Sequence, residues 1–415
     1  MERALICGLF DPITRDAEVE TLLAETEALT RSAGGDPVGR IWQRKAPDRR
    51  TLIGAGKVEE IRQRVAEGGI DLVIFCCALH PIQNRNLEDE LGTRVIDRTR
   101  LILDIFASRA RSLEGKLQVE LAQLLYLLPR LTGKGIAMSR LGGGIGTRGP
   151  GETKLESDRR VIKKKIAQIR AKLEKVTRDR ELQRRNRRRT PVPVVSLVGY
   201  TSAGKSTLFS TLTGEKTFAS ASLFATLDPL LRRLDLTEFG PGYACLLSDT
   251  VGFIREMPRE LFTSFRATLE ETVQADLVLH VVDLGSPEAA EQKRQVEEVL
   301  RLLDIPQDRV LTVYNKIDLL PEGMDLCARD GADTVYVSAR EGWGLAGLRQ
   351  RLFDRHFADY RAYPLDLPIA QYSPEALARW AIVVTKEYVA GRVHLTVLCP
   401  AGAMEDFLLH RGGER

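Results

Sequence analysis

Over the first hundred positions, short unbroken apolar runs alternate with amphipathic stretches. Ala4–Phe10, Val38–Trp42 and Leu72–Cys77 are such runs and predict strands. Glu18–Arg31 and Val58–Val65 place apolar residues at helical spacing. Alternation of this kind predicts a small α/β domain over residues 1–108.

Two long helical patterns follow. Leu113, Leu117, Leu121, Leu124 and Leu128 keep one face apolar as far as Pro129. Leu155, Ile162, Ile166, Ile169, Leu173 and Val176 repeat the pattern, at alternating four- and three-residue steps from Ile162 onward. These are a/d-type positions, so residues 109–190 are expected to form an antiparallel helical hairpin. The stretch between the two patterns, Thr132 to Gly151, has eight glycines in twenty residues, too few side chains to build a core. It reads as a mobile tip loop.

Pro191-Val-Pro193 ends the second pattern, since proline cannot continue a helix. Strand-like runs Val194–Val198, Ala244–Leu247, Val310–Tyr314 and Thr334–Val337 then mark a further domain over 191–360. The last segment, 361–415, shows a helix-like Pro374–Trp380 and strand-like Ala381–Thr385 and Val393–Leu398. A small α+β domain without recognisable chemistry is expected there. The whole is an α/β multidomain chain.

Composition narrows the class. No run approaches the roughly 18 apolar residues needed to cross a bilayer. The first residues lack the apolar stretch of a secretory signal, and the last lack a prenylation signature. The six cysteines form no C-x-x-C pair and the five histidines are dispersed, so reduced thiols, no protein-ligated metal and a cytoplasmic location are expected. A net charge of only +4 hides one polarised segment: Arg159 to Arg189 holds fifteen Lys or Arg against three acidic residues. That density points to a polyanionic partner, with nucleic acid the first candidate. Arg140, Arg148, Lys134 and Lys154 stud the glycine-rich stretch. Its bare backbone at Gly142, Gly143 and Gly144 can approach phosphates closely, so Arg140, Gly142, Gly143, Gly144, Arg148 and Lys154 are the candidate RNA contacts.

An ordered set of motifs carries the chemistry. Gly199-Tyr-Thr-Ser-Ala-Gly-Lys-Ser206 follows a strand-like run and precedes a helical one, the context of a phosphate-binding P-loop. Its backbone N–H groups would wrap phosphates, which assigns Gly199, Ser202, Ala203, Gly204, Lys205, Ser206 and Thr207 to the nucleotide. Lys205 would bridge the β- and γ-phosphates, and Ser206 would give a hydroxyl to Mg²⁺. Asp249, in Asp249-Thr-Val-Gly252, would act on Mg²⁺ through water, and the Gly252 N–H would sense the γ-phosphate. Thr226 is the best candidate for a second Mg²⁺ hydroxyl, with Thr217, Ser220 and Ser222 nearby. In Asn315-Lys316-Ile-Asp318 the Asp318 carboxylate can accept two hydrogen bonds from guanine, a donor pair that adenine lacks. Ser338-Ala339-Arg340 would place the Ala339 N–H at the guanine O6. GTP is thus the expected nucleotide.

Phe253 occupies the position where many GTPases place a water-orienting glutamine, and a phenyl ring cannot do that work. Either another residue, a bound partner or a monovalent cation completes the site, or the intrinsic rate is low. No catalytic residue is assigned, and slow intrinsic hydrolysis accelerated by a partner is expected. Gly54-Ala-Gly-Lys57 is too short for a second P-loop and reads as a turn before a helix.

The chain resembles the HflX family of ribosome-associated GTPases over most of its length. The resemblance rests on Gly142–Arg160, Thr201-Ser-Ala-Gly-Lys-Ser-Thr-Leu-Phe209, Phe224-Ala-Thr-Leu-Asp-Pro229, Asp249-Thr-Val-Gly-Phe-Ile254 and Phe265-Arg-Ala-Thr-Leu-Glu-Glu271. It implies an N-terminal α/β domain, a helical hairpin, a GTPase domain and a small C-terminal domain. It also implies a factor that binds the large (50S) ribosomal subunit and splits stressed 70S ribosomes, its hairpin tip reaching rRNA. A role in rRNA maturation or subunit assembly fits the same basic hairpin. A protein-docking coiled coil fits less well, because such coils more often mix both charge signs. A monomer is expected.

Overall fold

In the computed structural model of the chain, residues 1–131, 150–187, 192–214, 224, 230–250, 252–253, 271–321 and 333–412 are described. They fall into two units. One holds the described residues up to Lys175 together with Phe224; the other begins at Val176.

The first unit starts with β1 (Arg3–Phe10), α1 (Asp16–Ser32), β2 (Asp36–Arg44), α2 (Ala55–Gly68) and β3 (Leu72–Phe75). It continues with α3 (Pro81–Leu91), β4 (Arg94–Asp97), α4 (Arg98–Arg109) and α5 (Leu113–Leu127), then a 3-10 turn Leu128–Leu131 and α6 (Pro150–Arg187), whose residues from Val176 onward belong to the second unit. The four strands form a parallel sheet in the order β2-β1-β3-β4. The near-continuous apolar runs of β1 and β3 suit strands covered on both faces. β4 is only four residues long, too short to announce itself by periodicity; pairing of Val73 with Val95 recruits it.

α5 and α6 pack through Leu117 and Leu121 against Ile166 and Ile169, flanked by Leu124, Ile162 and Leu173. Lys165 Nζ reaches Glu120 across this pair at 2.5 Å. Leu113 departs from the expected seam, because its side chain is 69% exposed. α5 instead buries a second side through Val119, Ala122 and Tyr126. α6 begins at Pro150, so Gly151 and Lys154 belong to this helix.

The second unit contains β5 (Val194–Gly199), α7 (Lys205–Thr213), β6 (Leu230–Asp235), β7 (Ala244–Asp249) and β8 (Leu277–Asp283). Next come α8 (Ala289–Leu302), β9 (Val310–Asn315), β10 (Thr334–Tyr336) and α9 (Leu345–Phe357). The six strands run β10-β9-β8-β5-β7-β6, with only β6 antiparallel to its neighbour. This is a P-loop GTPase fold. β5 lies between β7 and β8, so the chain leaves it at a point where connections diverge and a crevice opens at the carboxyl ends.

The chain ends with β11 (Tyr360–Pro368), α10 (Pro374–Leu377), β12 (Ile382–Val389), β13 (Arg392–Pro400) and α11 (Ala401–Gly412). The antiparallel order β11-β13-β12 leaves β11 at an edge, where Pro364 and Pro368 cost the sheet no interior hydrogen bond. α10 stops at Leu377, short of the Trp380 expected from sequence. Leu398, Ile382 and Val384 pack into the same apolar cluster as Tyr243 and Phe357, so this sheet shares a core with the six-stranded one. Among the described residues no helix is long and apolar enough to cross a membrane.

Candidate nucleotide-binding site

Four loops meet at the carboxyl ends of β5, β7, β9 and β10. The first leaves β5 at Gly199 and enters α7 at Lys205. Gly204 caps α7 at φ +93°, and a Cβ there would lie 2.2 Å from Asn315 Nδ2. Both the left-handed backbone and the lack of room demand glycine. No side chain caps α7, and a helix N-terminus of this kind favours an anion.

Lys205 is buried and curls back over the loop, its Nζ donating to Gly199 O at 3.0 Å and Tyr200 O at 2.8 Å. Burial pulls its ammonium down to about 8, while the Asp249 carboxylate opposes that shift. Ser206 Oγ donates to Asp249 Oδ2 at 2.7 Å. Gly252 lies close above: a Cβ on it would stand 2.9 Å from Thr201 Cγ2 and 3.1 Å from Lys205 Nζ. Only a bare backbone fits there.

Phe253 continues the line of β7 and grips the P-loop. Its N–H donates to Gly199 O at 3.0 Å, and its carbonyl accepts from the Thr201 N–H at 2.7 Å. The ring is buried, 3% exposed. This position therefore braces the phosphate loop through its backbone.

On the other side, Asn315 is a strut. Its Nδ2 donates to Ala203 O at 2.8 Å, and its Oδ1 accepts from the Ala339 N–H at 2.9 Å. Thr211 Oγ1 donates to Ala339 O at 2.8 Å. The P-loop, the end of β9 and the 338–340 turn are thus one hydrogen-bonded assembly. Lys316, at φ +66°, turns the chain from β9 into the short 3-10 turn Ile317–Leu319 that carries Asp318. Ser338 Oγ donates to Asp318 Oδ1 at 2.6 Å. Lys316 Nζ pairs with Asp283 Oδ2 at 2.6 Å, and Asp283 Oδ1 accepts from the Gly285 N–H at 3.0 Å.

Sequence comparisons agree with this geometry. Family models described as the GTP-binding GTPase N-terminal region, the GTP-binding GTPase middle region and the 50S ribosome-binding GTPase match residues 20–107, 109–187 and 194–316. GTPase HflX of Caldanaerobacter subterraneus subsp. tengcongensis is 48% identical over 355 residues, covering 85% of this chain and 80% of that protein. GTPase HflX of Escherichia coli (strain K12) is 46% identical over 371 residues, covering 88% and 86%. The chain belongs to the HflX family of GTPases. Among solved structures, a GTP-binding protein from the archaeon Sulfolobus solfataricus in complex with GDP is 25% identical, covering 86% of this chain and 99% of that one, with a TM-score of 0.47.

For this HflX-family chain, the structure gathers Gly199, Ser202, Ala203, Gly204, Lys205, Ser206, Thr207, Asp249, Gly252, Asn315, Lys316, Asp318, Ser338 and Ala339 around one crevice. Arg340 follows them but sends an 81% exposed side chain outward beside Glu341. Thr226, Arg140, Gly142, Gly143, Gly144 and Arg148 lie outside the described residues, and Lys154 stands on α6. Sequence reasoning missed Asp283, Thr201 and Thr211. Asp283 ends β8 in register with Asn315, a neighbourhood created by strand pairing alone.

The donors present suit a hard cation. A hydroxyl and a carboxylate side by side at Ser206 and Asp249 match the oxygen-rich, partly hydrated shell that Mg²⁺ prefers.

Proposed function

We propose that this GTPase binds GTP with Mg²⁺, associates with the large ribosomal subunit and the 70S ribosome, and promotes subunit splitting under stress. The observation that carries the reading is Phe253. With its backbone bonded to the P-loop and its ring in the core, this position offers no polar group to an attacking water. Hydrolysis is then slow until a partner completes the site.

In this reading Lys205 and the first N–H groups of α7 hold the phosphates. The Gly252 N–H reads the γ-phosphate, and Asp318 and the Ala339 N–H read guanine. Ser206, Thr226 and, through water, Asp249 would hold Mg²⁺, which supplies charge neutralisation on the phosphates.

The partner is argued from α6 and from the family. Around its Ile166 and Ile169 seam, α6 exposes Arg160, Lys163, Lys164, Arg170 and Lys172, a basic surface suited to rRNA phosphates. The family model over residues 194–316 is described as a 50S ribosome-binding GTPase.

The test is GTP turnover alone, with 50S subunits and with 70S ribosomes, beside sucrose-gradient profiles. Stimulation by ribosomes and a shift toward free subunits are expected. Turnover unchanged by any ribosomal particle overturns the reading. Stimulation by precursor particles but not by mature 70S moves the function to subunit assembly.

A further inference from the structure

The lysine of the Asn315–Asp318 motif has a partner that the motif does not contain. Asp283, the last residue of β8, stands in register with Asn315 at the end of β9. Its Oδ2 accepts from Lys316 Nζ at 2.6 Å, and its Oδ1 accepts from the Gly285 N–H at 3.0 Å. Both oxygens of the carboxylate are engaged.

Further contacts bind the two turns together. The Leu284 N–H donates to Asn315 O at 3.0 Å, and a Cβ on Gly285 would stand 3.0 Å from Leu319 Cδ1. The 283–286 turn is thus a fitted wall behind the 315–319 turn, and Asp283 supplies its charge.

Lys316 gives that wall its meaning. At φ +66° it holds a left-handed backbone, which a residue with a Cβ adopts only at a cost. Such a conformation persists where neighbouring groups over-determine it. It turns the chain sharply out of β9 into the 3-10 turn that carries Asp318 two residues later. Where Lys316 relaxes, Asp318 shifts with it. General stability does not account for the pair: its side chains are 31% and 17% exposed, and ion pairs open to water contribute little.

We propose that Asp283 is a positioning residue for the guanine contact: through Lys316 it holds the turn that presents Asp318, and so raises both affinity for guanine nucleotides and discrimination in their favour. The inference rests on the assignment of Asp318 to guanine. Guanine offers that carboxylate an N1–H and an exocyclic amine, whereas hypoxanthine offers the N1–H alone. A carboxylate free to swing gains less from the second donor. Loosening the turn therefore weakens GTP more than inosine triphosphate.

The test uses the full-length chain in Mg²⁺, with GTP and inosine triphosphate each competing against a fluorescent GDP. Asp283→Asn keeps an acceptor for the Gly285 N–H and removes the charge facing Lys316. In this variant GTP affinity should fall about fivefold and inosine triphosphate affinity about twofold. In a Lys316→Met background the same Asp283→Asn change should have little further effect, because the lysine through which it acts is gone. Unchanged GTP affinity in Asp283→Asn overturns the inference. So does an equal loss for both nucleotides, the mark of a merely structural role, or an undiminished effect in Lys316→Met. If Asp283→Asn does not fold, Asp283→Ser, whose hydroxyl also accepts from a backbone N–H two residues on, decides by the same criteria. A wild-type chain that binds the two nucleotides alike instead overturns the guanine assignment on which the inference stands.

Discussion

Ser338 Oγ donates to the Asp318 carboxylate at 2.6 Å, joining two turns twenty residues apart. A carboxylate already held in one rotamer loses less freedom on binding than a free one. The hydroxyl also accepts from the Glu341 N–H at 3.1 Å, so the whole 338–341 turn supports it.

Asp318→Asn exchanges one acceptor for a donor. It should move base preference from guanosine toward xanthosine triphosphate, read by competition against a labelled nucleotide. Ser338→Ala should keep guanine preference but weaken GTP binding by roughly five- to tenfold, about 1 kcal/mol for one lost hydrogen bond. Unaltered preference in Asp318→Asn would remove this residue from the base contact.

The Ser206–Asp249 pair makes a prediction about metal. Ser206→Ala should lower GTP affinity in Mg²⁺ by roughly 10- to 100-fold, the range for a lost contact to a charged group. In EDTA the variant and wild type should bind alike. A Mg²⁺ titration followed by fluorescent-nucleotide binding separates the two cases, and equal Mg²⁺ dependence would exclude Ser206 as a ligand.

Restoring the residue common in other GTPases at position 253 should not restore catalysis. In Phe253→Gln the amide would enter a site where the native ring is 3% exposed. Lost packing and a buried amide should cost about 3 kcal/mol. The expected result is a lower unfolding midpoint with no gain in ribosome-free turnover. A higher turnover would show that this side chain does reach the reacting phosphate.

His280 predicts a pH dependence. It is buried on β8, and burial lowers its imidazole to about 4. The unfolded chain binds the proton near 6.5, so between 6.5 and 4 the unfolded state holds more protons than the folded one. Stability is therefore complete above about 6.5 and falls as pH drops toward 4, by about 2 kcal/mol between pH 7.5 and 5 from this residue. Denaturant unfolding of wild type and His280→Gln at both pH values should show a smaller acid loss in the variant. An identical loss would place the acid sensitivity elsewhere.

Much of the site was legible because its signals are local. A P-loop is a run of eight residues whose glycines, lysine and hydroxyl act within one turn of chain, and the strand before it is an apolar run. β1, β3, β5 and β9 could be read for the same reason, as could the apolar seam of α5 and α6 from Leu117 onward. The reason Gly204 must be glycine was only half visible. Its backbone role follows from the loop, but its contact with Asn315 joins positions more than a hundred residues apart.

Local order along the chain thus determined several of the strands and helices, β1, β3, β5 and β9 among them, and which motif is the candidate for holding the nucleotide. Tertiary structure alone decided that Phe253 braces the P-loop, that Asn315 ties it to Ala339, that Asp283 meets Lys316 and that Leu398 joins the GTPase core. Hydrophobic periodicity depends on neighbours a few residues away. The partner of a buried polar group depends on sheet order and register, which are settled only when the whole core packs.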